Sequence, residues 1–132
     1  MGASKIKISS FNTNGLGNKL KRLAVAKWLK QHSQNIVLLQ ETHSATEIEN
    51  KWKHDFGNPN IFFSHGTSSG RGVCIILPQN STFKIKDQIS DSNGRFLLIH
   101  IMFEDTELVL VNIYMPQKIK KGTTSSIIIP ER

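Results

Sequence analysis

The chain has 132 residues, 38% of them hydrophobic and 20% charged, which suits one compact domain and excludes a disordered polyelectrolyte. No apolar run approaches the ~18 residues of a membrane span, and MGASKIK lacks the apolar core of a signal peptide. Seventeen Lys and Arg against ten Asp and Glu leave a formal charge of +7, which either suits a polyanionic partner such as nucleic acid or marks solvated faces.

In chain order, KIKISSF (Lys5 to Phe11) alternates apolar and polar residues as a strand does, and NTNGLGN behind it is a turn. From Leu20 to His32 the residues Leu20, Leu23, Ala24 and Trp28 recur at helical steps, with Val25 and Leu29 widening the stripe. Lys19, Lys21, Arg22, Lys27 and Lys30 give that helix a basic outer face. Asn35 to Gln40 is the second strand. Ser44 to Glu47 has the spacing of a capping box ahead of a second helix through Ile48, Trp52 and Phe56, which ends near Gly57 and Pro59.

Strands then follow one another: Ile61 to Ser64, Val73 to Leu77, Thr82 to Ile89, Arg95 to Phe103 and Glu107 to Tyr114, the last two forming a hairpin across Glu104-Asp105-Thr106. The lone cysteine, Cys74, in the run VCIIL excludes an internal disulfide and reads as a small buried hydrophobe. After Pro116 the residues turn polar and basic, including Lys118, Lys120 and Lys121, so 117–132 reads as a tail behind a domain over 1–116. Strand, helix, strand, helix and five strands in succession indicate an α/β layered fold without internal repeats.

Three polar residues stand where strands end: Asn14, Glu41 and Tyr114. Glu41 follows Val37, Leu38 and Leu39, so it is either the first solvated residue past a buried strand or a ligand at the carboxyl end of a sheet, where α/β folds hold their chemistry. Alone, Asn14 reads equally as a turn former and Tyr114 as a half-buried strand aromatic. If the strands are neighbours, the three converge on one edge of the sheet. One carboxylate with an amide makes a poor calcium cage and suits magnesium, which keeps several waters and needs only one or two carboxylates.

FNTNGL (Phe11 to Leu16), LLQETH (Leu38 to His43), SSGRGVCIIL (Ser68 to Leu77) and LVNIYMP (Leu110 to Pro116) together resemble the amino-terminal half of the endonuclease/exonuclease/phosphatase superfamily, and within it the apurinic-endonuclease-like domain of non-LTR (LINE-type) retrotransposons. The resemblance implies a partial α/β sandwich of the DNase I-like type, truncated before its second half. It implies Mg-dependent (or Mn-dependent) phosphodiester hydrolysis on DNA, and an intracellular, nuclear location. Glu41 matches the metal ligand, Asn14 the asparagine that assists at phosphate and metal, and Tyr114 the tyrosine at the scissile phosphate. Arg71 and Gly72 match a basic-glycine turn with a structural role, and Asn112 one that satisfies neighbouring polar groups.

The G-D-F-N and S-D-H type motifs that complete the family's site are missing. HDFGN (His54 to Asn58) has the letters in another order and lies upstream of the NIYMP strand, and Ser90-Asp91-Ser92 lacks the histidine. General acid-base groups contribute ~10²- to 10⁴-fold in rate, so the chain alone is expected to have little or no nuclease activity. The second sheet of the sandwich is expected largely outside this chain, leaving the inner face of the first exposed. The other readings are a non-catalytic nucleic-acid-binding fragment or retroelement remnant, and a phosphodiesterase for a phosphoinositide or other small phosphodiester.

Overall fold

The computed structural model describes residues 6–79, 82–115 and 123–130, the last stretch for its backbone alone. Strand β1 (Lys7–Asn12), helix α1 (Lys19–Gln31) and strand β2 (Asn35–Gln40) open the chain. β1 and β2 pair in parallel, Lys7 opposite Asn35 through Asn12 opposite Gln40, a geometry that requires a crossover such as α1 supplies. A single 3₁₀ turn (Thr46–Ile48) leads into α2 (Glu49–Phe56), followed by β3 (Ile61–Ser64) and β4 (Val73–Ile76). The first sheet has the order β1-β2-β4-β3.

Strands β5 (Phe83–Ser90), β6 (Phe96–Phe103), β7 (Thr106–Met115) and β8 (Thr123–Pro130) form a second, antiparallel sheet in sequence order. This corrects the expectation that the second sheet lies largely elsewhere. Ile36, Leu38, Val73 and Ile75 of the first sheet meet Leu97, Ile99, Ile101, Leu108 and Leu110 of the second in one buried cluster. The physical reason is the period-2 alternation of β6 and β7, whose apolar set on one face can be buried only against another sheet. The inner face of the first sheet is therefore covered. β8 pairs with β7 from Leu108 opposite Pro130 to Met115 opposite Thr123, within the stretch read from sequence as a tail.

The other face of the first sheet carries the helices. Val37, Leu39, Cys74 and Ile76 pack against Leu16, Leu29, Trp52 and Phe56. Since β2 and β4 are covered on both faces, they read as unbroken apolar runs.

Helix α1 buries only part of the stripe its apolar residues suggest: Val25, Trp28 and Leu29 face the core, while Leu23 and Ala24 are exposed. Leu20 is 77% exposed, while Arg22 and Leu29 are buried. Arg22 Nη1 donates to the carbonyls of Leu16 and Gly17, Nε pairs with Asp55 at 3.0 Å, and the guanidinium lies 5.2 Å from the Trp52 ring centroid. A cation so completely partnered tolerates burial, so Arg22 leaves the basic surface that Lys19, Lys21, Lys27 and Lys30 still present.

The capping box at Ser44 to Glu47 also fails. The residue before the 3₁₀ turn is Ala45, with no side-chain cap, because the Ser44 hydroxyl is engaged with Thr42 and His65 instead. α2 does end at Gly57, in the left-handed conformation with φ 68°, as a C-terminal glycine should.

A buried polar tie crosses the sandwich. Buried Gln40 donates to Asn112 Oδ1 at 2.9 Å, and Asn112 Nδ2 donates to the carbonyls of Leu39 and Cys74 at 3.0 and 2.8 Å. It joins the last residue of β2 to β7 and so sets the separation of the strand ends that carry Glu41 and Tyr114. Asn112 thus satisfies neighbouring polar groups.

Candidate metal and phosphate site

The turn after β2 is clamped on two sides. From the FNTNGL side, Thr13 donates its amide and hydroxyl to the Gln40 carbonyl at 2.8 and 3.0 Å, and the amides of Gly15 and Leu16 donate to the carbonyls of Glu41 and Thr42. Gly15 has φ 93°, and a Cβ there would stand 2.6 Å from His43 Nδ1. On the other side, the amides of Thr42 and His43 donate to the carbonyls of Gly72 and Arg71 at 3.0 and 2.8 Å. Gly72 has φ 96°, and a Cβ there would collide with the Thr42 hydroxyl. Sequence motifs far apart in the chain are thereby one backbone unit.

Held in that unit, Glu41 itself adopts a left-handed conformation, φ 53°. Its carboxylate accepts from Asn12 Nδ2 at 2.9 Å, His43 Nε2 stands 3.8 Å from Oε1, and the Tyr114 phenol lies within reach of its charge. The Glu41 side chain is 17% exposed, so it faces solvent from a supported position. Burial, then the charge and hydrogen bond of Glu41, raise the Tyr114 phenol above its ordinary value, with Arg95 opposing. A neutral phenol is thereby kept as a donor beside the carboxylate.

Glu41 and Tyr114 are brought together as expected, though from two sheets packed face to face rather than along one sheet edge. The asparagine beside Glu41 is Asn12. Asn14 lies in the turn with φ 52°, its amide donating to Asn12 Oδ1 at 2.9 Å and its carbonyl accepting from Lys21. Asn tolerates the left-handed region better than most residues, which accounts for Asn14 as a turn former. The signal for Asn12 was its place at the strand terminus, opposite Gln40 and one residue from Glu41 in register. His43, the other residue missed, shares the left-handed geometry with φ 55°.

The remaining singled-out residues are structural. Arg71 Nε donates to the Asn93 carbonyl at 2.8 Å. His100 is bonded to Glu107 at 2.6 Å on the second sheet. Asp91 closes the β5–β6 turn: burial raises its carboxyl, but the Arg95, Phe96 and Asn93 amides and the Ser64 hydroxyl together hold it below the ordinary value.

The donor set is one carboxylate steadied by an amide and a phenol, with an imidazole near it. Among the described residues no group of three or more His, Cys, Asp or Glu is placed to hold a metal ion. A single hard oxygen ligand fits the modest demand of Mg²⁺ or Mn²⁺ and falls short of a calcium cage. Nor, among the described residues, is any helix long and apolar enough to cross a membrane.

A family model described as the Endonuclease/Exonuclease/phosphatase family matches residues 9–122. The chain is 29% identical over 111 residues to the Xenopus laevis protein named "Transposon TX1 uncharacterized 149 kDa protein", an alignment covering 84% of this chain and 8% of that protein.

Proposed function

We propose that this chain, which belongs to the endonuclease/exonuclease/phosphatase family, carries the metal-holding part of a phosphodiesterase site that acts on DNA in a retroelement setting. The amino-terminal half of that domain is taken to run past residue 116, the boundary suggested by the sequence, and to include β8. The reading rests on one observation above the rest: Asn12 at the end of β1, Glu41 just beyond β2 and Tyr114 on β7 come together, with Asn12 Nδ2 donating to the Glu41 carboxylate and burial and the charge of Glu41 raising the Tyr114 phenol. In this reading Glu41 holds Mg²⁺ or Mn²⁺, Asn12 steadies the carboxylate in place of the sequence-matched Asn14, and Tyr114 offers its hydroxyl to the scissile phosphate. The ion, when bound, supplies Lewis-acid stabilisation of charge on the phosphoryl oxygens.

The name of the transposon relative supports the retroelement setting, and the net charge of +7 supports a nucleic-acid substrate. With one carboxylate at the site, the chain alone hydrolyses DNA weakly or not at all. The test is plasmid nicking by the purified chain with Mg²⁺, beside Glu41→Ala and an EDTA control. Nicking abolished by both establishes an enzyme; nicking that survives Glu41→Ala removes Glu41 from the role.

A second reading has its own observation. Lys19, Lys21, Lys27 and Lys30 are all exposed on α1, beside the FNTNGL turn. Salt-sensitive DNA binding with neither nicking nor Mn²⁺ binding that depends on Glu41 would assign the chain to nucleic-acid binding alone.

A further inference from the structure

Beneath the Glu41 turn lies a chain of polar side chains that the phosphodiesterase reading leaves unused. Thr42 Oγ1 is 2.8 Å from Ser44 Oγ, Ser44 Oγ is 3.0 Å from His65 Nδ1, and His65 Nε2 is hydrogen-bonded to the Glu49 carboxylate. Thr42 and Ser44 are fully buried. His65 stacks on Phe63, with ring centroids 4.8 Å apart, and Glu49 stands in the first turn of α2. Hydroxyl, imidazole and carboxylate follow one another as in a nucleophilic hydrolase. A serine with no exposed surface cannot be reached by a substrate, so the chain has another use.

Its direction follows from which atoms can donate. A carboxylate only accepts, so His65 Nε2 carries a proton, and in the neutral imidazole Nδ1 is the acceptor. Ser44 then donates to Nδ1, which leaves Ser44 Oγ to accept from the Thr42 hydroxyl. Every link has one donor and one acceptor, and the series runs one way, from Thr42 to Glu49.

Thr42 is flanked by Glu41 and His43, both left-handed at φ 53° and 55°. Such a conformation costs an L-residue ~1–2 kcal/mol and persists only where its surroundings dictate it. The backbone bonds to Gly72, Arg71 and Leu16 orient the peptide planes. The Thr42 side chain ties the centre of the turn through Ser44 to the end of β3 and the start of α2.

We infer that His65 and Glu49 are positioning residues, which act through Ser44 and Thr42 to lock the turn that aims the Glu41 carboxylate at Asn12 and Tyr114. The inference deepens the proposed function and rests on it for the role of Glu41 as a metal ligand. The geometry itself can be read without any metal.

The test compares wild type, His65→Ala, Thr42→Val, Glu49→Gln and Leu108→Ala in the full chain. The first readout is the Asn12 side-chain amide in ¹H–¹⁵N spectra, which reports the position of the Glu41 carboxylate. The second is Mn²⁺ affinity by calorimetry. Thr42→Val cuts the series while keeping side-chain shape, Glu49→Gln keeps an acceptor oxygen, and Leu108→Ala destabilises the second sheet without touching the series.

His65→Ala and Thr42→Val are expected to shift the Asn12 amide and to weaken Mn²⁺ binding by about tenfold or more. Glu49→Gln should stay near wild type, and Leu108→Ala should leave the Asn12 amide in place. An Asn12 amide unmoved in folded Thr42→Val, or moved as far by Leu108→Ala, overturns the inference. Wild type that binds no Mn²⁺ overturns the metal role instead, and the Asn12 amide still decides the positioning.

Discussion

Asn12 Nδ2 donates to Glu41 Oε2 at 2.9 Å, joining the last residue of β1 to the first residue beyond β2. The parallel register that sets Asn12 opposite Gln40 makes this reach possible. It separates two asparagines that stand two positions apart. Asn12→Ala should weaken Mn²⁺ binding by about tenfold, the range for groups that orient a metal ligand. Asn14→Ala should leave the affinity unchanged and cost ~1 kcal/mol of stability, the strain of an alanine in the left-handed region. Calorimetric titration and urea unfolding of both variants check the pair; equal losses of affinity would return Asn14 to the site.

Arg22 joins α1, α2 and the turn after β1 through Asp55 and two backbone carbonyls. With side-chain exposures of 3% and 7%, removing one partner strands the other charge. Arg22→Ala is therefore expected to cost ~3–5 kcal/mol in urea unfolding. Arg22→Lys should recover little, since an ammonium cannot reproduce the guanidinium fork. A loss below ~1 kcal/mol for Arg22→Ala would place the pair in the weak class of surface ion pairs.

Gly72 and Gly57 both have positive φ, at 96° and 68°, but in different surroundings. A Cβ at Gly57 meets nothing within 4 Å, so Gly57→Ala should cost ~1 kcal/mol, the backbone strain alone. At Gly72 the Cβ would collide with the Thr42 hydroxyl under the Glu41 turn. Gly72→Ala should thus cost several times as much and displace the turn, seen as a larger drop in thermal midpoint together with a shifted Asn12 side-chain amide. Equal midpoints would mean that the turn yields freely.

Burial pushes the Cys74 thiol from 9.0 up to about 12. A group whose pKa is raised on folding favours the folded state in its protonated form. Its contribution is complete below the unfolded value and is lost as pH rises toward the folded one. Stability should then fall above pH 9, by at most about 1.4 kcal/mol per pH unit for one group. Tyr114, raised in the same sense, adds to the slope at higher pH. Urea midpoints between pH 7 and 11 measure it, and Cys74→Val should remove the part that begins near pH 9. A slope unchanged in Cys74→Val would assign the whole effect to other groups.

Local pattern carried most of the elements. The period of 2 in β6 and β7, the apolar runs of β2 and β4, and the glycine stop after α2 follow from residue order alone, because side-chain alternation and backbone strain are properties of neighbours. The four motifs also named the site's strand ends and placed Glu41 and Tyr114 there. Other features required the third dimension. Arg22 looks like surface charge until Asp55, Leu16 and Trp52 surround it. Ser44 looks like a helix cap until His65 claims its hydroxyl.

The sequence by itself thus determined where strands end and which residues could carry charge or bind a hard cation, since burial patterns and side-chain chemistry are written in it directly. Only the tertiary structure decided that β1, β2 and β7 come from two packed sheets, that Asn12 rather than Asn14 touches Glu41, and that Thr42, Ser44, His65 and Glu49 form one line. Each of these depends on register and sheet packing, which align residues 16 to more than 70 positions apart and leave no local trace in the order of the chain.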